Sequence, residues 1–286
     1  MLRELDEAAR ALVAPRVVLF DWHATLVDTL DAMYHAVDDV LPRLPELGLM
    51  GALISHDQAR TAEDARLVDY VREHRQLHPK IKAERRISRT DIFEVLFGDD
   101  EDAKQVAHDA FNAAYREHYG DVQPLEGGEL DLLIEMHALD VKLGILTNRD
   151  REFFEREFEI VDDGAWLDLF HTTVCGDDSS RRKPSPEPVL KALANLGEPP
   201  APNCWYVGDS TTDVMSAKRA GITSVFFNGT GWDHAWINKI FPGTAAHPYQ
   251  PDAIVDDFTE FKWLVEECLE VGGRPQLAGR LTDNDV

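Results

Sequence analysis

An α/β architecture with a doubly wound parallel sheet and an all-helical insert is what this sequence predicts, on three observations. The apolar run Val17-Val18-Leu19-Phe20 ends on Asp21. Four consecutive hydrophobes read as a buried central strand, which delivers one acid to the carboxyl edge of a sheet, where open α/β folds place their chemistry. From Glu129 to Phe227 helical and strand-like segments alternate, the pattern of parallel strands joined by crossover helices. Between these regions, residues 31–119 carry helical periodicity and no convincing alternating strand, so the insert is helical throughout.

The first strand leaves through Val27-Asp28-Thr29, and helices are predicted over 31–45, 58–77, 89–97 and 101–119. The last is the clearest, because Ala107, Ala110, Phe111, Ala114, Tyr115 and His118 recur at helical spacing beside charged positions. Gly120 and the stretch Asp121-Val122-Gln123-Pro124-Leu125-Glu126-Gly127-Gly128 then break the helical pattern and return the chain to the sheet. There the order is helix 129–138, strand 141–146, helix 151–159, strand 171–175, helix 186–196, strand 204–207, helix 210–220 and strand 222–227. A short strand at 253–255 and a helix over 257–271 close the domain, the helix turning Phe258, Phe261, Leu264, Val265 and Cys268 inward. Residues 228–251 read as a surface excursion pinned by Trp232 and Trp236, since Gly229-Thr230-Gly231 alone is too weak a signal for a phosphate loop. The domains that follow are a discontinuous core of 1–30 and 122–272, an insert of 31–121, and a tail of 273–286. That tail has little apolar periodicity and is expected to be poorly ordered.

At 286 residues and 44% hydrophobic composition, the chain is long enough for a large core with a smaller companion. Its 29 basic and 53 acidic residues give a net charge of −24. The field of that charge opposes nucleic acid and anionic membrane as partners, so an anionic small molecule needs a local cation to enter. Cys175, Cys204 and Cys268 are widely spaced, without a Cys-x-x-Cys pair, and read as buried thiols in a reducing compartment. The first residues lack a basic region followed by a signal-length apolar core, and no segment is long enough to span a bilayer. The expectation is a cytoplasmic protein.

Four polar strings stand at the ends of predicted strands or just before helices. They are Asp21-Trp22-His23-Ala24-Thr25, Thr147-Asn148 after Leu143-Gly144-Ile145-Leu146, Lys183-Pro184-Ser185-Pro186, and Gly208-Asp209-Ser210-Thr211-Thr212-Asp213 after Trp205-Tyr206-Val207. Each alone is common by chance; the four in this order are a strong signal. Together they resemble the haloacid dehalogenase (HAD) superfamily of phosphohydrolases, and the Lys-Pro string is similar to that of its phosphoglycolate-phosphatase-like members. The first string departs from the family's Asp-x-Asp-Gly-Thr at His23 and Ala24.

The resemblance implies a Rossmann-like core, a helical cap that closes over the pocket and selects substrate, and Mg²⁺-dependent hydrolysis of a small phosphorylated metabolite. Asp21 is then the nucleophile that forms an aspartyl phosphate, and Lys183 bridges it to the phosphate. Thr147 and Asn148 hold phosphoryl oxygens through a hydroxyl and a backbone donor. The Mg²⁺ ligands are Asp21, Asp209 and the backbone carbonyl of His23, with Asp213 acting through water or orienting a neighbour. Oxygen-only ligation suits this hard cation. Where typical members carry an acid/base Asp, His23 is chemically able to protonate a leaving alkoxide and activate water, its ordinary pKa being near ~6.5. Ala24 adds a methyl where the family bends its backbone with Gly. Phosphonoacetaldehyde hydrolases share the Asp-Trp pair but need a lysine early in the cap, and residues 31–79 contain none. Dehalogenases do not need the acids Asp209 and Asp213. A phosphomutase would use the same motifs, and a noncatalytic phospho-ligand or protein-binding module would need only the phosphate shell.

Overall fold

A computed structural model describes residues 2–59, 61–84, 89–118, 120, 122–241 and 249–271. The chain gathers into two compact units, Met1–Asp28 with Gln123–Val286, and Thr29–Val122. In chain order, the first unit opens with α1 (Leu2–Ala11), β1 (Val17–Phe20) and β2 (Val27–Asp28). The second unit holds α2 (Leu30–Val40), α3 (Ala62–His74), α4 (Pro79–Glu84), α5 (Arg89–Phe97) and α6 (Glu101–Tyr115). The first resumes with β3 (Gln123–Pro124), α7 (Glu129–Ala138), β4 (Lys142–Leu146), α8 (Arg151–Ile160), β5 (Thr172–Val174) and α9 (Glu187–Leu196). It ends with β6 (Cys204–Gly208), α10 (Thr211–Ala220), β7 (Thr223–Phe227), α11 (His234–Ile240), β8 (Ala253–Val255) and α12 (Phe258–Val271).

Six strands form one parallel sheet in the order β5-β4-β1-β6-β7-β8. Counted by their appearance in this sheet, that is 3-2-1-4-5-6, the doubly wound order whose switch point lies between the first and fourth strands. Here those strands are β1 and β6. All four residues of β1 are inaccessible to solvent, as a central strand covered on both faces requires. Phe20 pairs in register with Ile145 on one side and Val207 on the other, so Asp21, Thr147 and Asp209 emerge at the same edge. The Asp21 amide extends the ladder by donating to the Val207 carbonyl at 2.8 Å. On one face Phe261 of α12 packs edge-on against Phe20, ring centres 5.7 Å apart. Cys175, Cys204 and Cys268 are free and buried.

The second unit is built on helices whose apolar faces meet: Val37 and Val40 of α2, Val68 and Val71 of α3, Phe93 and Phe97 of α5, and Ala107 and Phe111 of α6 are all buried. The helix predicted over 31–45 stops at Val40, where a 3-10 turn over Leu41–Arg43 takes over. Pro42 and Pro45 remove the amides that a continuing α-helix would use. The helix predicted from 58 begins at Ala62, because Thr61 and Asp64 cap each other's backbone amides and mark a start that hydrophobic periodicity does not register.

The segment after β7 holds more regular structure than a surface loop. It contains α11, whose Ile237, with Phe241 just beyond the helix, is buried against Val214 and Phe226, with Trp232 partly buried beside them. Among the described residues of this segment, the i, i+4 pair Ile237 and Phe241 anchors α11 to the core, and residues 242–248 lie outside the described residues. Helix α1 was not anticipated either; its short apolar stripe of Leu5 and Ala9 is buried. The side chain of Trp236 and the tail from Gly272 lie outside the described residues. Among the described residues, no helix is long and apolar enough to cross a membrane.

Candidate active site

Lys183 organises the carboxyl edge of the sheet. Its side chain is 3% exposed, and its Nζ donates to Asp21 Oδ1 at 2.7 Å, Asp213 Oδ1 at 2.7 Å and the Tyr206 hydroxyl at 2.9 Å. An ammonium has three protons, and these three acceptors take them. Burial pulls the Lys183 pKa down, but Asp21 and Asp213 more than offset it, so the amine stays charged above its ordinary range. The lysine is held from behind by Asn148, whose Oδ1 accepts from the Lys183 amide at 2.9 Å and whose Nδ2 donates to the Lys183 carbonyl at 3.2 Å.

Asp213 lies at the start of α10, where Ser210 is the N-cap and the two residues form a capping box. Its Oδ2 accepts from the Ser210 amide at 3.0 Å and the Ser210 hydroxyl at 2.6 Å. Its Oδ1 accepts from Lys183 and, at 2.8 Å, from the Tyr206 hydroxyl. Both oxygens of Asp213 are thus held in place by protein groups, although the single Tyr206 hydroxyl proton is shared with the Leu146 carbonyl at 3.1 Å. Gly208 makes this approach possible, since a Cβ there would fall 2.5 Å from Asp213 Cγ and Oδ2.

Asp21, Asp209 and Asp213 each present an oxygen within 4.8 Å of the others. Burial, eased by Lys183 and increased again by Asp213, pushes the Asp21 carboxyl up to about 6. Burial, followed by the charges of Asp21 and Asp213, also raises Asp209 well above the carboxylate range. Three carboxylates thus face one ammonium. An oxygen-only donor set with excess negative charge fits a hard divalent cation, which would relieve the crowding that raises these pKa values.

Other predicted residues are placed less directly. Thr147 is buried, and its Oγ1 accepts from the Arg149 amide at 3.1 Å, shaping its own loop. The Asn148 side chain serves Lys183, a role not anticipated for it. His23 is partly exposed, two residues beyond Asp21. Ala24 occupies the left-handed region at φ 59° and donates its amide to the Val27 carbonyl at 2.8 Å, so the bend that glycine would make freely is made here by alanine. The sequence reading missed Tyr206, whose hydroxyl joins Lys183 and Asp213. A tyrosine inside an otherwise apolar buried strand was the available signal, because a buried phenol must find a partner.

A 3-2-1-4-5-6 sheet with an acid and lysine cluster at its switch point defines a Rossmann-like α/β enzyme. Residues 18–227 match the family model of haloacid dehalogenase-like hydrolases, and the chain belongs to that family. It is 28% identical over 247 residues to a phosphoglycolate phosphatase of Salmonella typhimurium strain LT2, covering 86% of this chain and 90% of the relative. A phosphoglycolate phosphatase of Nitrosococcus oceani is 25% identical over 257 residues, covering 90% and 99%. The fold is also that of a solved structure described as a haloacid dehalogenase-like hydrolase from Bacteroides fragilis. That match has a TM-score of 0.58 at 20% identity and covers 86% of this chain and 99% of the other.

Proposed function

We propose that this protein is a Mg²⁺-dependent phosphatase of a small phosphomonoester metabolite, working through an aspartyl phosphate on Asp21. The observation that carries the reading is the buried Lys183, bonded at 2.7 Å to both Asp21 and Asp213. A lysine so held keeps an anionic nucleophile oriented and offsets its repulsion from an anionic substrate. The similarity to phosphoglycolate phosphatases over most of the chain supports the same reaction class. Mg²⁺, held by Asp21, Asp209 and the His23 carbonyl with Asp213 reached through water, would supply neutralisation of charge on the phosphoryl oxygens.

The chain's own residues divide the work. An Asp21 carboxylate oxygen attacks phosphorus, forming the O–P bond of the aspartyl phosphate as the ester P–O bond breaks. Protonated His23 gives its proton to the departing alkoxide. Neutral His23 then takes a proton from water as the water oxygen bonds to phosphorus and the Asp21 O–P bond breaks, releasing inorganic phosphate. The Thr147 hydroxyl and the Asn148 backbone amide hold equatorial oxygens, and the helical insert, 31–121 from the sequence, selects substrate. With a net charge of −24, nucleic acid and anionic membrane are unfavourable partners.

Phosphate release from a panel of small phosphate esters with Mg²⁺, by wild type and Asp21→Asn, tests this reading. Wild type should turn over at least one ester, and the variant should remain folded and inactive, since the amide keeps size but not nucleophilicity. Comparable turnover by Asp21→Asn would remove the covalent mechanism.

A further inference from the structure

Glu157 lies on α8, away from the acidic cluster, and is fully buried. Its Oε2 accepts from the indole Nε1 of Trp22 at 2.8 Å and stands 3.2 Å from Nε of Arg149. Trp22 immediately follows Asp21, and its carbonyl accepts from the amides of Leu26 and Val27 at 3.0 Å each, closing the turn that carries His23. Arg149 follows Thr147 by two residues. Its amide donates to Thr147 Oγ1 at 3.1 Å, and its carbonyl accepts from the Gly176 amide at 2.8 Å. One buried oxygen therefore joins the loop of the nucleophile to the loop expected to hold phosphate. The indole cannot shift to release it, being walled edge-on by Phe154, Phe158 and Trp166 at centroid distances of 5.1, 5.8 and 5.9 Å. Trp and Arg side chains only donate, so an aliphatic residue at 157 would fill the space, leave the buried Trp22 indole without this acceptor and remove the carboxylate beside Arg149 Nε.

We infer that Glu157 is a positioning residue for phosphoryl transfer: by fixing Trp22 and Arg149 it sets the spacing between Asp21 and Thr147. The inference rests on the phosphatase reading. Glu157 touches no reacting atom and acts through the two loops. In-line attack on phosphorus is sensitive to such spacing, a misplacement of about 1 Å being worth about a hundredfold in rate.

The test uses p-nitrophenyl phosphate with Mg²⁺ and measures kcat, KM, single-turnover phosphorylation and thermal unfolding. Four proteins besides wild type are compared: Glu157→Gln, Glu157→Leu, the double variant Trp22→Phe/Glu157→Leu, and Asp21→Asn. Glu157→Leu should lose about tenfold to a hundredfold in kcat and in the phosphorylation step, with KM changed less than about threefold. Glu157→Gln, which keeps an acceptor for the indole, should fall between it and wild type. The double variant removes the indole donor together with its acceptor, so it should recover much of the thermal stability while kcat stays low. Wild-type kcat in the Glu157 variants, a rise in KM matching the loss of kcat, or recovery of kcat with stability in the double variant would each overturn the inference. Failure of the underlying reading looks different: no wild-type turnover, or an active Asp21→Asn.

Discussion

Where the chain leaves β6, Asp213 accepts four hydrogen bonds and Gly208 leaves room for its carboxylate. Where it leaves β1, Ala24 holds a left-handed backbone, and the buried Thr25 hydroxyl has no hydrogen-bond partner among the described residues. The two loops flank the same switch point, yet one is satisfied and the other carries backbone strain. In the β6 loop both oxygens of Asp213 are fixed before any ligand arrives, which suits a group that holds Lys183 in place. The β1 loop carries the residues given moving roles in the proposed reaction, Asp21 and His23. Strain and incomplete satisfaction are commonly found where a loop does chemistry.

The largest effect is expected of Asp213→Ala, which removes one of the two carboxylates beside buried Lys183 and opens the capping box. We expect a loss of about 3–5 kcal/mol in unfolding free energy, the usual cost of breaking a buried ion pair, together with loss of turnover. Denaturant unfolding measures it, and a change below about 1 kcal/mol would show that the β6 loop is not the anchor. His23→Ala should do the opposite, leaving stability nearly unchanged while lowering turnover of an alkyl phosphate by roughly 10²–10⁴-fold. An aryl phosphate, whose leaving group needs less protonation, should suffer less in single-turnover phosphorylation, and His23→Asp should keep substantial activity. Equal rates for wild type and His23→Ala in phosphorylation and dephosphorylation would leave the imidazole without a role.

A third expectation concerns pH. With its carboxyl raised from 3.8 to about 6, folded Asp21 binds its proton more tightly than the unfolded chain does. The metal-free protein therefore has this contribution in full below about pH 4 and loses it as pH rises through about 6, on the order of 3 kcal/mol. Mg²⁺ should restore stability at pH 7, because it binds the ionised carboxylates of the folded state alone. Unfolding curves at pH 4.5 and 7, with and without Mg²⁺, check this; Asp21→Asn should show a flatter pH dependence and Asp209→Ala a weaker Mg²⁺ effect. The smallest change is Ala24→Gly. Relief of about 1–2 kcal/mol of left-handed strain, less about 0.4–1 kcal/mol of added unfolded-chain entropy, predicts a gain of up to about 1.6 kcal/mol. A loss of stability would mean that the Ala24 methyl contributes packing that outweighs the strain.

What sequence alone determined was local. The buried run before Asp21, the alternation of helix and strand after Glu129 and the Gly208-Asp209 string after Trp205-Tyr206-Val207 each depend on residues a few positions apart, so the parallel sheet and the acids at its edge were legible. Short signals were lost where periodicity had too few turns to register, as in α1 and α11, or where proline overrode it, as at the end of α2. The strand order, the bonds that hold Asp213, the Tyr206 hydroxyl beside Lys183 and the Glu157 link between two loops were decided only by tertiary structure. Lys183 meets Asp21 across 162 positions and Glu157 meets Trp22 across 135. No local pattern encodes which distant donor will satisfy a buried acceptor; that follows from the sheet order and from the high cost of leaving either group unpaired away from water.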